Sequence, residues 1–173
     1  MLPSQLYRLP SLQHLDVSHN LISSLNNEIK NLRVLQYVNV EGNQLEGLPV
    51  GILSLSLSEL RLGGNYTHPV LWTLNSVNSP PSLLHTAAHA LALIQPEQRY
   101  STLPPAARLV LSRASVCECC GGPWFGPGLK LIRPIYGLFG LSSVPILFLS
   151  CSASCYSRFR KQSHPLTQPL HTG

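Results

Sequence analysis

The sequence predicts an α/β chain in which a short repeat solenoid is followed by a helix pair and a small cysteine-rich zinc-knuckle module. Three observations predict this order. Leucines and asparagines recur at near-constant spacing in the first third, two proline-led apolar segments follow, and paired cysteines lie in the last third. With 173 residues and 44% hydrophobic content, the chain can bury one or two small cores.

A repeating pattern covers residues 9–65. The matched positions of three successive units are Leu12, Leu15, Val17 and Asn20, then Leu35, Val38, Val40 and Asn43, then Leu57, Leu60, Leu62 and Asn65. The asparagines are 23 and 22 residues apart, which is the leucine-rich repeat period. Each unit buries its leucines against its neighbours, while the asparagine side chain satisfies backbone groups at the turn.

Alternate residues of each predicted strand face solvent on the inner, concave wall. Repeat arrays commonly bind partners along this wall, although a merely solvated polar face is the alternative. The candidate substrate-binding residues are His14, Asp16, Tyr37, Asn39, Glu41, Glu59 and Arg61.

The N-terminal segment fits the second half of a further repeat, through Leu2, Leu6 and Leu9. We therefore expect the array to start in mid-repeat with an apolar edge, as in a C-terminal fragment, a short isoform or an incomplete gene model. The first residues show no secretory signal, so we expect an intracellular location, cytoplasmic or nuclear.

The first helix of the pair is predicted to follow Ser82, a capping residue preceded by two prolines, and to reach about Ile94. Leu83, Ala87 and Leu91 recur every fourth residue and form one apolar stripe. The second helix is predicted to start at residues 101–102, with two prolines in its first turn.

Two cysteine pairs have the spacing of metal knuckles, Cys117 with Cys120 and Cys151 with Cys155. Together they can supply four thiolates to one structural zinc ion, because disulfides are disfavoured in a reducing compartment. Cys119 is a spare that could replace a neighbour. The alternative is a set of buried free cysteines.

Residues 134–157 carry no charge, which raises the alternative of a tail-anchored membrane protein. Glycines, serines and a proline interrupt the segment, so a buried strand that leads into the second cysteine pair is favoured. The predicted domains are repeats at 1–78, the helix pair at 79–113, the cysteine-rich module at 114–157 and a disordered tail at 158–173.

The charge pattern narrows the functional classes. The net charge of +5 comes from scattered basic residues, so a nucleic-acid partner is not expected. Only 11% of residues are charged, which indicates that a partner or further chain covers part of the apolar surface. No phosphate-binding loop, HExxH or GxSxG motif is present, so we do not expect an enzyme.

The order of these parts resembles the leucine-rich repeat substrate receptors of elongin–cullin ubiquitin ligases. The segment from Ser82 matches an elongin-binding box, and the segment from Leu103 looks like a cullin 2 box. His85 and His89 stand where charged residues are common in the first box. The resemblance assigns elongin-binding residues Leu83, Ala87 and Leu91, and cullin-binding residues Leu103, Pro104, Ala107 and Leu111.

The sequence therefore predicts a non-catalytic adaptor. The repeats would bind a protein substrate, and the helix pair would dock elongin B/C and a cullin for ubiquitin transfer. The alternatives are a repeat scaffold without a ligase role, whose helix pair only caps the solenoid, and the tail-anchored protein.

Overall fold

A computed structural model describes residues 2–94, 100 and 102–161, which divide into two compact units. Apart from the gaps just given, the first unit comprises residues 2–76 and 132–148, and the second comprises 77–131 and 149–161. Residues 132–148 therefore group with the repeats, whereas the sequence-based division assigned them to the cysteine-rich module.

The first unit is built on a parallel sheet of three short strands, β1 (His14–Asp16), β2 (Tyr37–Asn39) and β4 (Glu59–Arg61), in the order β1-β2-β4. The strands are in register, so equivalent positions of the three repeats lie side by side. The central residues Leu15, Val38 and Leu60 are buried. The leucine-rich solenoid predicted from the leucine spacing is confirmed.

The repeat asparagines give successive turns the same hydrogen-bond geometry. The Asn43 side chain donates to the carbonyls of Val17 (2.9 Å) and Val40 (3.0 Å) and accepts from the Ile22 amide (3.0 Å). Asn65 donates in the same way to the Val40 carbonyl at 2.8 Å. These bonds satisfy backbone groups that the turn leaves without partners, as the sequence predicts.

On the opposite side of each repeat the chain forms 3₁₀ turns at Ser4–Arg8, Asn27–Asn31 and Val50–Ser54. In the first turn Tyr7 is 1% exposed, and its hydroxyl oxygen accepts from the Asn26 amide at 3.1 Å. Leu9 is 49% exposed, so it does not take the buried position that the repeat alignment gives it. The buried side chain of this turn is Tyr7, which also supplies a hydrogen-bond acceptor.

The uncharged segment forms strands. β3 (Leu48–Pro49), β7 (Leu129–Tyr136) and β8 (Ser143–Ser150) make a second sheet in the order β3-β8-β7. β3 pairs in parallel with β8, with Leu48 beside Ile146. Residues 134–157 thus do not form one continuous helix, and within the described ranges no helix has the length and apolarity needed to cross a membrane.

Helix α1 (Pro69–Asn75) lies in the range assigned to the repeats, after the last repeat asparagine, where no helix was predicted. His68 caps it, since its Nδ1 accepts from the Val70 amide at 3.3 Å, and Pro69 occupies the first turn without losing a needed amide. The cap is a histidine rather than the usual serine or aspartate, which is why the sequence reading missed this helix.

The second unit contains α2 (Leu83–Ile94), α3 (Pro105–Leu111), the antiparallel pair β5 (Ser115–Val116) and β6 (Pro123–Trp124), and α4 (Ala153–Lys161). The Ser82 hydroxyl caps α2 by accepting from the His85 amide at 3.3 Å, as predicted.

Two helix boundaries differ from the prediction. α3 begins at Pro105 rather than at residues 101–102, because Pro104 stands before a proline and is held extended, with ψ of 148°. Ser101 itself lies outside the described residues. α4 continues to Lys161, so residues 158–161, predicted to be disordered, are helical. The rest of the predicted tail, 162–173, also lies outside the described residues.

Candidate functional site

The sheet face of the repeats carries a line of interacting side chains. The rings of His14 and Tyr37 are 5.8 Å apart, and the Arg61 guanidinium lies 5.8 Å from the Tyr37 ring centre. Arg61 Nε also donates to Glu59 at 2.6 Å. A cation over an aromatic face is attracted by the ring quadrupole. These four candidate residues therefore form one connected surface across three strands.

Asp16 and Asn39 form the second row of this face. The Asn39 side chain donates to Asp16 at 3.0 Å and accepts from the Glu41 amide at 3.1 Å. Asn39 is only 6% exposed, so it supports the face and is not the solvent-facing contact that we predicted. The Ser18 amide and hydroxyl donate to Asp16 and hold the pKa of its carboxyl below the ordinary value.

Glu41 completes the predicted set. Its carboxylate lies over Gly63, since a Cβ at Gly63 would meet Glu41 Oε1 at 3.1 Å. Beside it an open cavity of about 430 Å³ is lined by residues that include Glu41, Arg61, Thr67 and Pro145. The face thus offers both charge and a concavity to a partner.

Helix α2 exposes one broad apolar face. Leu83 is 89% exposed and Ile94 is 78% exposed. The exposed apolar residues of the helix are Leu83, Leu84, Ala87, Ala90, Leu93 and Ile94. Leu91 instead packs inward, against the core cluster of this unit. Of the predicted elongin-binding stripe, Leu83 and Ala87 are therefore on the surface and Leu91 is not.

The predicted cullin-binding residues are also divided by the fold. Leu111 is 6% exposed and lies in the cluster with Ala88 and Phe125, and Leu103 packs against that cluster. Pro104 is exposed and Ala107 is half-buried. Leu111 therefore could not contact a partner without unpacking the unit, whereas Pro104, Ala107 and the half-buried Leu103 keep some exposed surface.

The four predicted thiol ligands come together. The Sγ atoms of Cys117, Cys120, Cys151 and Cys155 all lie within 4.8 Å of one another. Two of these separations are 3.6 Å, between Cys120 and Cys151, and 3.7 Å, between Cys151 and Cys155. Four thiolates at about 2.3 Å from a central zinc lie roughly 3.8 Å apart, so the arrangement fits a tetrahedral ion.

Backbone amides support the thiol cluster. The Cys151 amide donates to Cys117 Sγ and the Gly122 amide donates to Cys120 Sγ, both at 3.4 Å. Burial alone would raise the pKa of Cys117, but amide hydrogen bonds from Cys120, Cys119 and Cys151 outweigh it and bring that pKa to about 7. Burial raises the pKa of Cys151. One thiol of the cluster therefore ionises readily, as a first metal ligand must.

Cys119 does not belong to the cluster. It is buried, and its sulfur lies 4.0 Å from a guanidinium nitrogen of Arg158. The four clustered thiols therefore do not include Cys119, the spare cysteine of the sequence prediction.

The sequence reading missed the contacts between α2 and the β5–β6 pair. His89 Nδ1 donates to the Pro123 carbonyl at 2.8 Å, and the His85 ring lies against Gly126. These histidines were noted only as departures from the elongin-box pattern. No local signal could reveal the contacts, because their partners lie more than thirty residues away.

Comparison with known proteins bears on the repeats. The Leucine rich repeat family model matches residues 2–45. The chain carries leucine-rich repeats. It is 37% identical to human leucine-rich repeat-containing protein 63 over 112 residues, which are 65% of this chain and 19% of that protein. It is 39% identical to the mouse protein over 118 residues, 68% of this chain and 18% of the relative.

The chain therefore spans about a fifth of the length of these curated relatives, to which it is homologous. The leucine-rich repeats of the matched family support a role in protein interaction. Among the repeat receptors of elongin–cullin ligases, the order of the sequence motifs most resembles leucine-rich repeat protein 1 and leucine-rich repeat-containing protein 58. The comparisons lend no specific support to either of these two proteins.

Proposed function

We propose that this chain is a non-catalytic adaptor with two protein-binding surfaces. The sheet face of the repeats binds one protein, through His14, Tyr37, Glu59 and Arg61. The exposed face of α2 binds another. The observation that carries the proposal is the exposure of Leu83, at 89%, on a helix whose opposite side is already packed. A helix that is apolar on both sides needs a second partner to cover it.

The finer proposal is that the partner of α2 is elongin C and that the chain serves a cullin-type ubiquitin ligase. Leu83 would fill a pocket near the start of the helix, and the small Ala87 would let the partner approach closely. Pro104 and Ala107 would provide the cullin contact. Leu91, Leu103 and Leu111 would act from inside, by holding the two helices together.

Substitutions on α2 test this proposal. Burying a leucine contributes roughly 1.5 to 3 kcal/mol, so Leu83→Ala should weaken binding of purified elongin B/C at least about tenfold. Ala87→Arg should abolish it by placing an unpaired charge in the contact. Leu74→Ala on α1 is a matched control, since Leu74 is 63% exposed on another helix. Circular dichroism should show that all three variants stay folded, and no binding by the unmodified chain would refute the elongin proposal.

The second candidate is a repeat scaffold without a ligase role. The packing of Leu103 and Leu111 into the interior cluster favours it, because the cullin-box pattern then needs no partner to explain it. In that case the chain binds no elongin, and Ala87→Arg leaves the binding of its true partner unchanged.

We also propose that the four-cysteine cluster holds one structural zinc ion in a reducing compartment, the cytoplasm or nucleus. All four ligand positions are occupied by protein, so the ion would stabilise the fold and not act on a substrate. Metal analysis of the purified chain should find about one zinc per molecule. Cys120→Ser should lose the metal, whereas Cys119→Ser should keep it. Absence of zinc, with all five thiols freely titrated in the folded chain, would contradict the site.

A further inference from the structure

We infer that the four-cysteine site controls whether the exposed face of α2 is formed, so that metal loading switches partner binding on. The inference rests on the proposed zinc site and deepens it, by assigning the site a regulatory role toward α2. It follows from the contacts that α2 makes with the residues directly after the first cysteine pair.

The first pair of cysteines is physically continuous with the surface that supports α2. Cys117 and Cys120 lie in the loop between β5 and β6, which the Cys117 amide closes by donating to the Gly122 carbonyl at 2.8 Å. The next three residues, 123–125, carry the contacts to the helix. His89 binds the Pro123 carbonyl, and Phe125 packs against Ala88.

The second pair of cysteines approaches from the start of α4. The Cys151 amide donates to Cys117 Sγ at 3.4 Å, and the preceding Leu149 amide donates to a Glu118 carboxylate oxygen at 3.3 Å. Both bonds join the strand β8 and helix α4 to the same loop. A bound ion would therefore fix the β5–β6 loop to α4, which carries Cys155.

Without the ion, little remains to order the loop. β5 and β6 have two residues each, and an isolated two-stranded pair is marginal in water. Among the described residues, the core cluster under α2 has three buried members, Ala88, Leu111 and Phe125, and the side chains packed against them are half-buried. A 12-residue helix is itself at the lower limit of stability when alone. The free energy of metal binding is then largely spent on folding this unit.

Hydrogen exchange on the intact chain tests the inference. The amides of α2, residues 83–94, should exchange at least about tenfold faster after the metal is removed by a chelator under reducing conditions. Added Zn²⁺ should restore protection and Mg²⁺ should not. The strand β2, in the repeats, should exchange equally in both states. Cys120→Ser should behave as the stripped protein, and Cys119→Ser as the loaded one.

The outcomes separate the two proposals. If metal analysis finds no zinc in the reduced chain, the zinc site is wrong and the inference falls with it. If zinc binds but α2 exchanges at the same rate with and without it, the site stands and the inference is wrong. Equal loss of protection in α2 and β2 would also overturn it, since the ion would then stabilise the whole chain and select no surface.

Discussion

At the scale of single residues, we expect substitution of Asn43 to lower the stability of the fold strongly. It is 5% exposed and bonds to backbone groups of three segments, whereas Asn20 occupies the equivalent position exposed to solvent. Asn43→Ala should lower the free energy of unfolding by about 2–3 kcal/mol, because buried groups lose their partners. Asn20→Ala should cost clearly less, since water can replace its bonds. Urea unfolding would measure both, and equal losses would show that burial does not matter here.

The core positions of the repeats could be predicted from the sequence, but the burial of individual polar residues could not. The leucine and asparagine spacing is a local pattern, and it placed Leu15, Val38 and Leu60 correctly. The burial of Asn39 depends on the neighbouring strand, whose Asp16 carboxylate covers it. Strand alternation alone predicts the face of the sheet to which a side chain points. It does not predict whether side chains of the neighbouring strands cover it.

At the scale of elements, the turn after β6 should be sensitive to added volume. Gly126 and Gly137 both have positive φ, +76° and +70°, yet a Cβ at Gly126 would collide with the His85 ring and one at Gly137 would meet nothing within 4 Å. Each alanine substitution costs about 1–2 kcal/mol from the backbone. Gly126→Ala should cost more and should increase hydrogen exchange in α2.

Gly137→Ala serves as the comparison, because it changes the same backbone preference in a turn that belongs neither to α2 nor to the four-cysteine loop. Equal exchange of α2 in both variants would mean that the His85 contact does not hold the helix.

Element types followed the same division between local and distant information. The capping Ser82 and the proline-led start predicted α2 because these signals lie within a few residues. For the region of β7 and β8, the local sequence signal was an apolar composition. A buried strand and a membrane segment share that composition. The pairing of β8 with β3 depends on Leu48, far away in the sequence, and no periodicity encodes it.

At the scale of the whole molecule, the repeats should not be fully stable alone. Leu48 and Ile52 are 0% exposed, and β8 pairs with the strand that carries Leu48. A fragment of residues 1–78 loses β8 and should unfold at a lower urea concentration than the first unit of the whole chain. It should also bind an apolar dye that the intact protein does not. Equal midpoints would show that the predicted boundary at residue 78 is a true domain boundary.

The pairing of β3 with β8 also has a consequence for the growing chain on the ribosome. Leu48 cannot pair until Ile146 has been added, roughly a hundred residues later. At about 5–20 residues per second, that delay lasts on the order of 5–20 seconds. During this time the apolar side of the second repeat, which carries Leu48, is open to solvent or to a chaperone. The packing of the repeats is therefore completed only after a strand that is made much later has been added.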